Sequence, residues 1–71
     1  MTPTEQATHD GLIRLRASTR KLAALVDDME TMRANDGMNA VAVLADAIRE
    51  EACYAAWVAR KLAAKAAKVA S

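Results

Sequence analysis

Ala34-Asn35-Asp36-Gly37 is the only strong helix breaker in the chain, because Gly and Asn tolerate positive φ and an Asp or Asn side chain can cap a following helix. The backbone is expected to reverse direction there. Long segments of similar length flank the breaker, and two helices joined by so short a turn lie antiparallel as an αα-hairpin. Helix 1 is expected over about residues 3 to 34, the turn over 35 to 37 and helix 2 over about 38 to 69, all within a single domain.

Upstream of the breaker, Thr2-Pro3-Thr4-Glu5 matches a helix start. Thr2 can accept from the backbone N–H of Glu5, Pro3 suits the first helical position, and Glu5 can reach back toward Thr2. Gly11 lies inside the proposed helix and costs about 1 kcal/mol relative to alanine. The opening turns are therefore either helical or a frayed arm, with Asp10 recapping a main helix. Within residues 12 to 33, Leu12, Leu15, Thr19, Leu22, Val26 and Met29 alternate three and four apart, and Leu25 and Met32 widen the same side. An arc of nearly half the circumference is more than one partner helix covers. Arg16, Arg20, Lys21, Asp27 and Asp28 occupy the opposite side, with Ile13 as the bulky exception.

Downstream, Val41, Ala45, Ile48, Ala52, Ala55, Ala59, Leu62, Ala66 and Val69 form a heptad series. One of its two repeating positions is always alanine, which lets helix axes approach toward the short end of the roughly 8 to 10 Å range. The pattern resembles an alanine-seamed antiparallel coiled coil. The expected core and dimer seam thus comprises Leu15, Leu22, Val26 and Met29 of helix 1 with Val41, Ala45, Ile48, Ala52, Ala59 and Leu62 of helix 2.

Composition agrees with this all-α reading. Of the 71 residues, 54% are hydrophobic, yet there is no Phe, one Trp and one Tyr, so the apolar content is alanine and aliphatic residues that favour helices over strands. A single core of this size rarely supplies more than about 3 to 5 kcal/mol. One Cys and one His can form neither an internal disulfide nor a closed zinc site. Association with other helices is the remaining source of stability, and a homodimeric four-helix bundle is expected. No run reaches the roughly 20 apolar residues of a membrane span, and Glu5 and Asp10 near the N-terminus do not suit a secretory signal. A cytoplasmic location is expected.

If the alanine seam faces helix 1, a second stripe of Val43, Leu44, Ala47, Tyr54 and Val58 faces outward, interrupted by Glu51, with Trp57 further round near Lys61. Such a surface is either a homodimer core with Trp57 at its rim or a contact site for another protein. Charge is also segregated along the hairpin. The open end carries Arg14, Arg16, Arg20, Lys21, Arg60, Lys61, Lys65 and Lys68, and the turn end carries Asp27, Asp28, Glu30, Asp36, Asp46, Glu50 and Glu51. Part of this complements the helix dipoles. The remainder either orients an antiparallel dimer or leaves a basic pole free for phosphates or an acidic protein surface.

Catalysis finds little support. His9 beside Asp10 has no nucleophile or second base at a meaningful spacing, Cys53 reads as a small half-buried helix residue, and no phosphate loop, zinc spacing or calcium loop occurs. No cofactor is expected. Met29, Met32 and Met38 read as a pliable cap at the turn or a yielding contact surface. From Trp57 to Ala70 the apolar side is almost wholly alanine, too small in area for membrane insertion.

The leading expectation is a small regulatory module that binds itself and a larger protein, such as a transcription regulator or an enzyme, and blocks or redirects it. Tyr54, Trp57 and Val58 would anchor that partner, with Arg60 and Lys61 at the rim. Compact helical modules of this kind are common among phage and mobile-element products, an analogy of architecture. The runner-up is nucleic-acid binding through Arg14, Arg16, Arg20, Lys21, Lys65 and Lys68. In outline, two long helices joined by a short turn, the chain resembles the plasmid RNA-binding hairpin family called repressor of primer. That resemblance covers the hairpin as a whole and carries no residue-by-residue correspondence. A third expectation is a purely structural module whose only partner is another copy.

Overall fold

The computed structural model describes residues 2–70, with Asp36 described by its backbone alone. It is an all-helical hairpin: α1 spans Pro3–Asp36, α2 spans Met38–Ala70, and the two pack against each other. At 1.5 Å per residue a 34-residue helix is about 51 Å long, and 51 Å is the longest dimension of the molecule. Its radius of gyration is 16.1 Å, against roughly 11 Å for a compact domain of this length. The chain is a rod.

The start of α1 follows from its first residues. Thr2 is extended, its Oγ1 accepts from the backbone N–H of Glu5 at 3.1 Å, and Pro3 occupies the first turn. The helix runs through Gly11 without a break, so the frayed arm is not formed. Asp10 accepts from the side-chain amide of Gln6 at 3.0 Å instead of capping a new helix. At the other end α1 continues two residues beyond the expected stop, and Gly37 alone separates the two helices. Its φ of 75° and ψ of −152° belong to a region essentially confined to glycine, and its N–H donates to the Arg33 carbonyl at 3.2 Å. Asn35 does not cap α2; its side-chain amide donates to the Thr31 carbonyl of its own helix at 3.1 Å. The side chain of Asp36, expected as a cap and as part of the acidic end, lies outside the described residues.

The seam between the helices differs from the expected one by a rotation of both. On α1 the residues turned toward α2 are Gly11, Leu15, Ser18, Leu22, Leu25 and Met29. Leu15, Leu22 and Met29 hold their expected places, whereas Leu12, Thr19 and Val26 are exposed and yield to the residue immediately before each. On α2, Val41, Ile48, Ala55 and Leu62 are half-buried as expected, but Ala45, Ala52 and Ala59 are exposed, and Leu44, Glu51 and Val58 take the alternate positions. Val58, expected in a partner-binding stripe, is instead the most buried apolar side chain among the described residues, at 4% exposure.

Two polar groups explain the rotation. Ser18 is buried and donates through Oγ to Glu51 Oε2 at 2.7 Å, and Lys21 Nζ lies 3.2 Å from Glu51 Oε1. A carboxylate in a helical seam is costly unless each oxygen finds a partner, and both oxygens of Glu51 do. Gly11 completes the arrangement, because a Cβ there would stand 2.7 Å from Leu62 Cδ2. The missing side chain is what lets Leu62 lie against α1.

Candidate interaction surfaces

Side chains that leave the seam fall on two broad sides of the rod, and these differ in chemistry. In antiparallel helices the same step along each chain turns toward the same broad side, a consequence of both being right-handed. Residues one position before the inward set therefore collect on one side and residues one position after it on the other.

The first side is polar and aromatic. From the middle of the hairpin toward its open end, Lys21, Leu25, Ala47, Glu50, Glu51 and Tyr54 line one shallow groove. Asp10, Gly11, Arg14, Trp57, Lys61, Leu62 and Lys65 contribute to a second. Tyr54 and Trp57 connect them, with ring centroids 6.4 Å apart and planes 28° from parallel. Lys61 Nζ sits 5.4 Å from the Trp57 ring centroid, a cation–π contact. Tyr54 and Trp57 remain 41% and 46% exposed. Neighbouring Arg60 is exposed, and Val58, buried in the seam, lines the same groove as Trp57.

The Glu51 carboxyl is held below its ordinary value of 4.5, first by the Ser18 hydroxyl and then by the Lys21 ammonium, with partial burial opposing them. It stays ionised at neutral pH and ties α2 to α1 in one register.

By the same rule Arg16, Glu30 and Arg49 turn toward the second side, where they flank an uncharged strip along its middle. Leu12, Thr19 and Val26 of α1 face the same way as Ala45, Ala52 and Ala59 of α2. Thr19 turns its hydroxyl back to the carbonyls of Arg16 at 2.8 Å and Leu15 at 3.2 Å, and Thr8 does the same to Thr4 at 2.9 Å. Their methyl groups are what this side presents.

The basic residues expected to act together are divided by the fold. Arg14, Lys61 and Lys65 border the aromatic groove. Arg16 and Arg20 lie on the outer side of α1 beside His9 and Ile13, Lys21 is committed to Glu51, and Lys68 is exposed on the last turn of α2. Among the described residues Arg14, Arg16, Arg20, Arg60 and Lys65 make no ion pair, and neither do Asp27, Asp28, Glu30 and Glu50. The remaining pair, Arg49 with Asp46 at 3.6 Å, is about three-quarters exposed on both sides and contributes little.

His9 and Cys53 are both exposed. No group of three or more His, Cys, Asp or Glu side chains that could hold a metal occurs among the described residues. Among the described residues no helix is long and apolar enough to cross a membrane. Comparison of the chain with protein families, with curated protein sequences and with solved structures returns no match.

Proposed function

We propose that the chain is a non-catalytic, self-associating regulatory module: two hairpins pair as a homodimeric four-helix bundle and present their aromatic sides to a larger protein, which the complex modulates, most simply by blocking its surface. The observation that carries this reading is the exposed Tyr54–Trp57 pair set between grooves and flanked by Lys61. A stacked aromatic pair is held in place at little further entropic cost, and large amphipathic rings with a cation alongside are the side chains that dominate protein–protein hot spots. The contact set is Tyr54, Trp57 and Lys61, with Arg60 at the edge and Val58 acting from beneath.

A pull-down from host lysate with the tagged full chain tests it, with Trp57→Ala alongside. A stoichiometric protein companion retained by wild type and lost with Trp57→Ala is the expected result. A companion insensitive to that change, or none, overturns the reading, and the latter outcome favours the purely structural module.

A second reading has its own support. Arg14, Lys61 and Lys65 line one groove with Trp57 and Asp10, with Lys61 over the ring, and a cationic groove holding an exposed ring is also a platform for single-stranded nucleic acid. Affinity for an oligonucleotide would then fall steeply with added salt, and Arg14→Ala with Lys65→Ala would weaken it more than they weaken any protein contact.

A further inference from the structure

We infer that the second copy seats on the uncharged strip of the rod's second side, in an antiparallel arrangement whose twofold axis crosses the rod at the level of Thr19 and Ala52. This rests on the self-association proposed above and adds the face, the orientation and the centre. The Ser18–Glu51 hydrogen bond of 2.7 Å places Thr19 and Ala52 at the same level of the hairpin. Leu12 and Val26 stand one heptad to either side of Thr19, and Ala45 and Ala59 stand one heptad to either side of Ala52. Both apolar series are therefore centred on one point. A twofold axis there, lying between the two copies and perpendicular to the helices, sets Leu12 over Val26 of the second copy and Ala45 over Ala59 of the second copy. The α2 helices meet through alanines, and the larger α1 side chains meet one another.

Area and charge single out a second copy as the occupant. The chain exposes 5401 Å², whereas a compact monomer of its mass exposes roughly 4,300 Å². The surplus of roughly 1,100 Å² is on the scale of the roughly 800 Å² that each partner buries in a standard stable interface. Among the described residues Arg14, Arg16 and Lys65, which make no ion pair, lie on the open-end side of Thr19 and Ala52, and Asp27, Asp28, Glu30 and Glu50, likewise without one, lie on the turn side. The antiparallel arrangement sets the basic end of each rod beside the acidic end of the other. A parallel arrangement sets like charge beside like.

Sedimentation and cysteine cross-linking of the full chain test this, in a Cys53→Ser background so that a single thiol is present. Wild-type chain should sediment as a dimer. Ala52→Cys should then oxidise to a disulfide-linked dimer that reductant reverses, because a residue on the twofold axis meets its own copy within disulfide reach. Trp57→Cys on the opposite side should stay monomeric on a non-reducing gel. Mixing Ala45→Cys with Ala59→Cys should give the heterodimer in preference to either homodimer. A monomer in sedimentation overturns self-association itself. A dimer that cross-links through Trp57→Cys, or through Thr19→Cys mixed with Ala52→Cys, leaves self-association intact and overturns the face or the orientation.

Discussion

Gly11 and Ser18 carry more of this structure than their size suggests. Gly11 forgoes about 1 kcal/mol of helix propensity, and the gap it leaves is filled by Leu62. Gly11→Ala should therefore show a sign that depends on its neighbour. With Leu62 present, the 2.7 Å approach offsets or outweighs the gain in propensity. In a Leu62→Ala background the same change should stabilise by about 1 kcal/mol, and a double-mutant cycle by urea denaturation should return a coupling of at least about 0.5 kcal/mol. Additive effects would mean that Leu62 is not seated against α1. Ser18 acts through Glu51, whose carboxyl titrates below 4.5 when folded. A carboxyl with a depressed folded value adds stability above its unfolded value and loses it as pH falls through the folded one. The advantage of wild type over Glu51→Gln should thus be present at neutral pH and vanish on acidification below 4.5. Ser18→Ala should move the Glu51 carboxyl titration, followed by NMR, upward toward its ordinary value.

At the scale of the helices, the hairpin and its turn were legible in the amino-acid order, because one Asn-Asp-Gly run interrupts two long alternations of apolar residues. The face each helix turns inward was not. Each helix carries two overlapping series that share half their members: Leu15, Leu22 and Met29 on α1, and Val41, Ile48, Ala55 and Leu62 on α2. The other half can be taken one residue earlier or later. Hydrophobicity favours Leu12, Thr19 and Val26 over Gly11, Ser18 and Leu25, and alanine over a series containing Glu51. The fold takes the earlier series because Ser18 and Lys21 satisfy Glu51 and Gly11 admits Leu62. The partners that decide the matter sit on the other helix, 33 residues away in the case of Ser18 and Glu51, beyond the reach of periodicity along one segment. The turn has its own prediction. Gly37→Ala forces a side chain into the conformation at φ 75° and should destabilise by about 1 to 3 kcal/mol in urea. A loss well below that range would mean that the turn has relaxed, for example into one continuous helix.

For the molecule as a whole, the governing fact is how little a single hairpin hides. Val58 is the only buried apolar side chain among the described residues, and half-buried aliphatic residues spaced along a 51 Å rod form a thin core. In the proposed dimer folding and association are one equilibrium, and the thermal midpoint should depend on protein concentration. Each tenfold rise in concentration should add about 1.4 kcal/mol per mole of dimer to the apparent stability, which differential scanning calorimetry over two decades of concentration reads directly. A midpoint that stays fixed across that range would mean that one hairpin folds alone. Salt gives an independent reading of the orientation. Between 0.1 M and 1 M the screening length drops from about 10 Å to about 3 Å, which in the proposed dimer would remove the attraction between the basic end of one rod and the acidic end of the other while leaving the uncharged contact around Thr19 and Ala52 in place. The dimer should therefore loosen measurably with added sodium chloride yet persist at high concentration. Strengthening with salt would mean that like ends lie together, because screening then relieves a repulsion rather than an attraction.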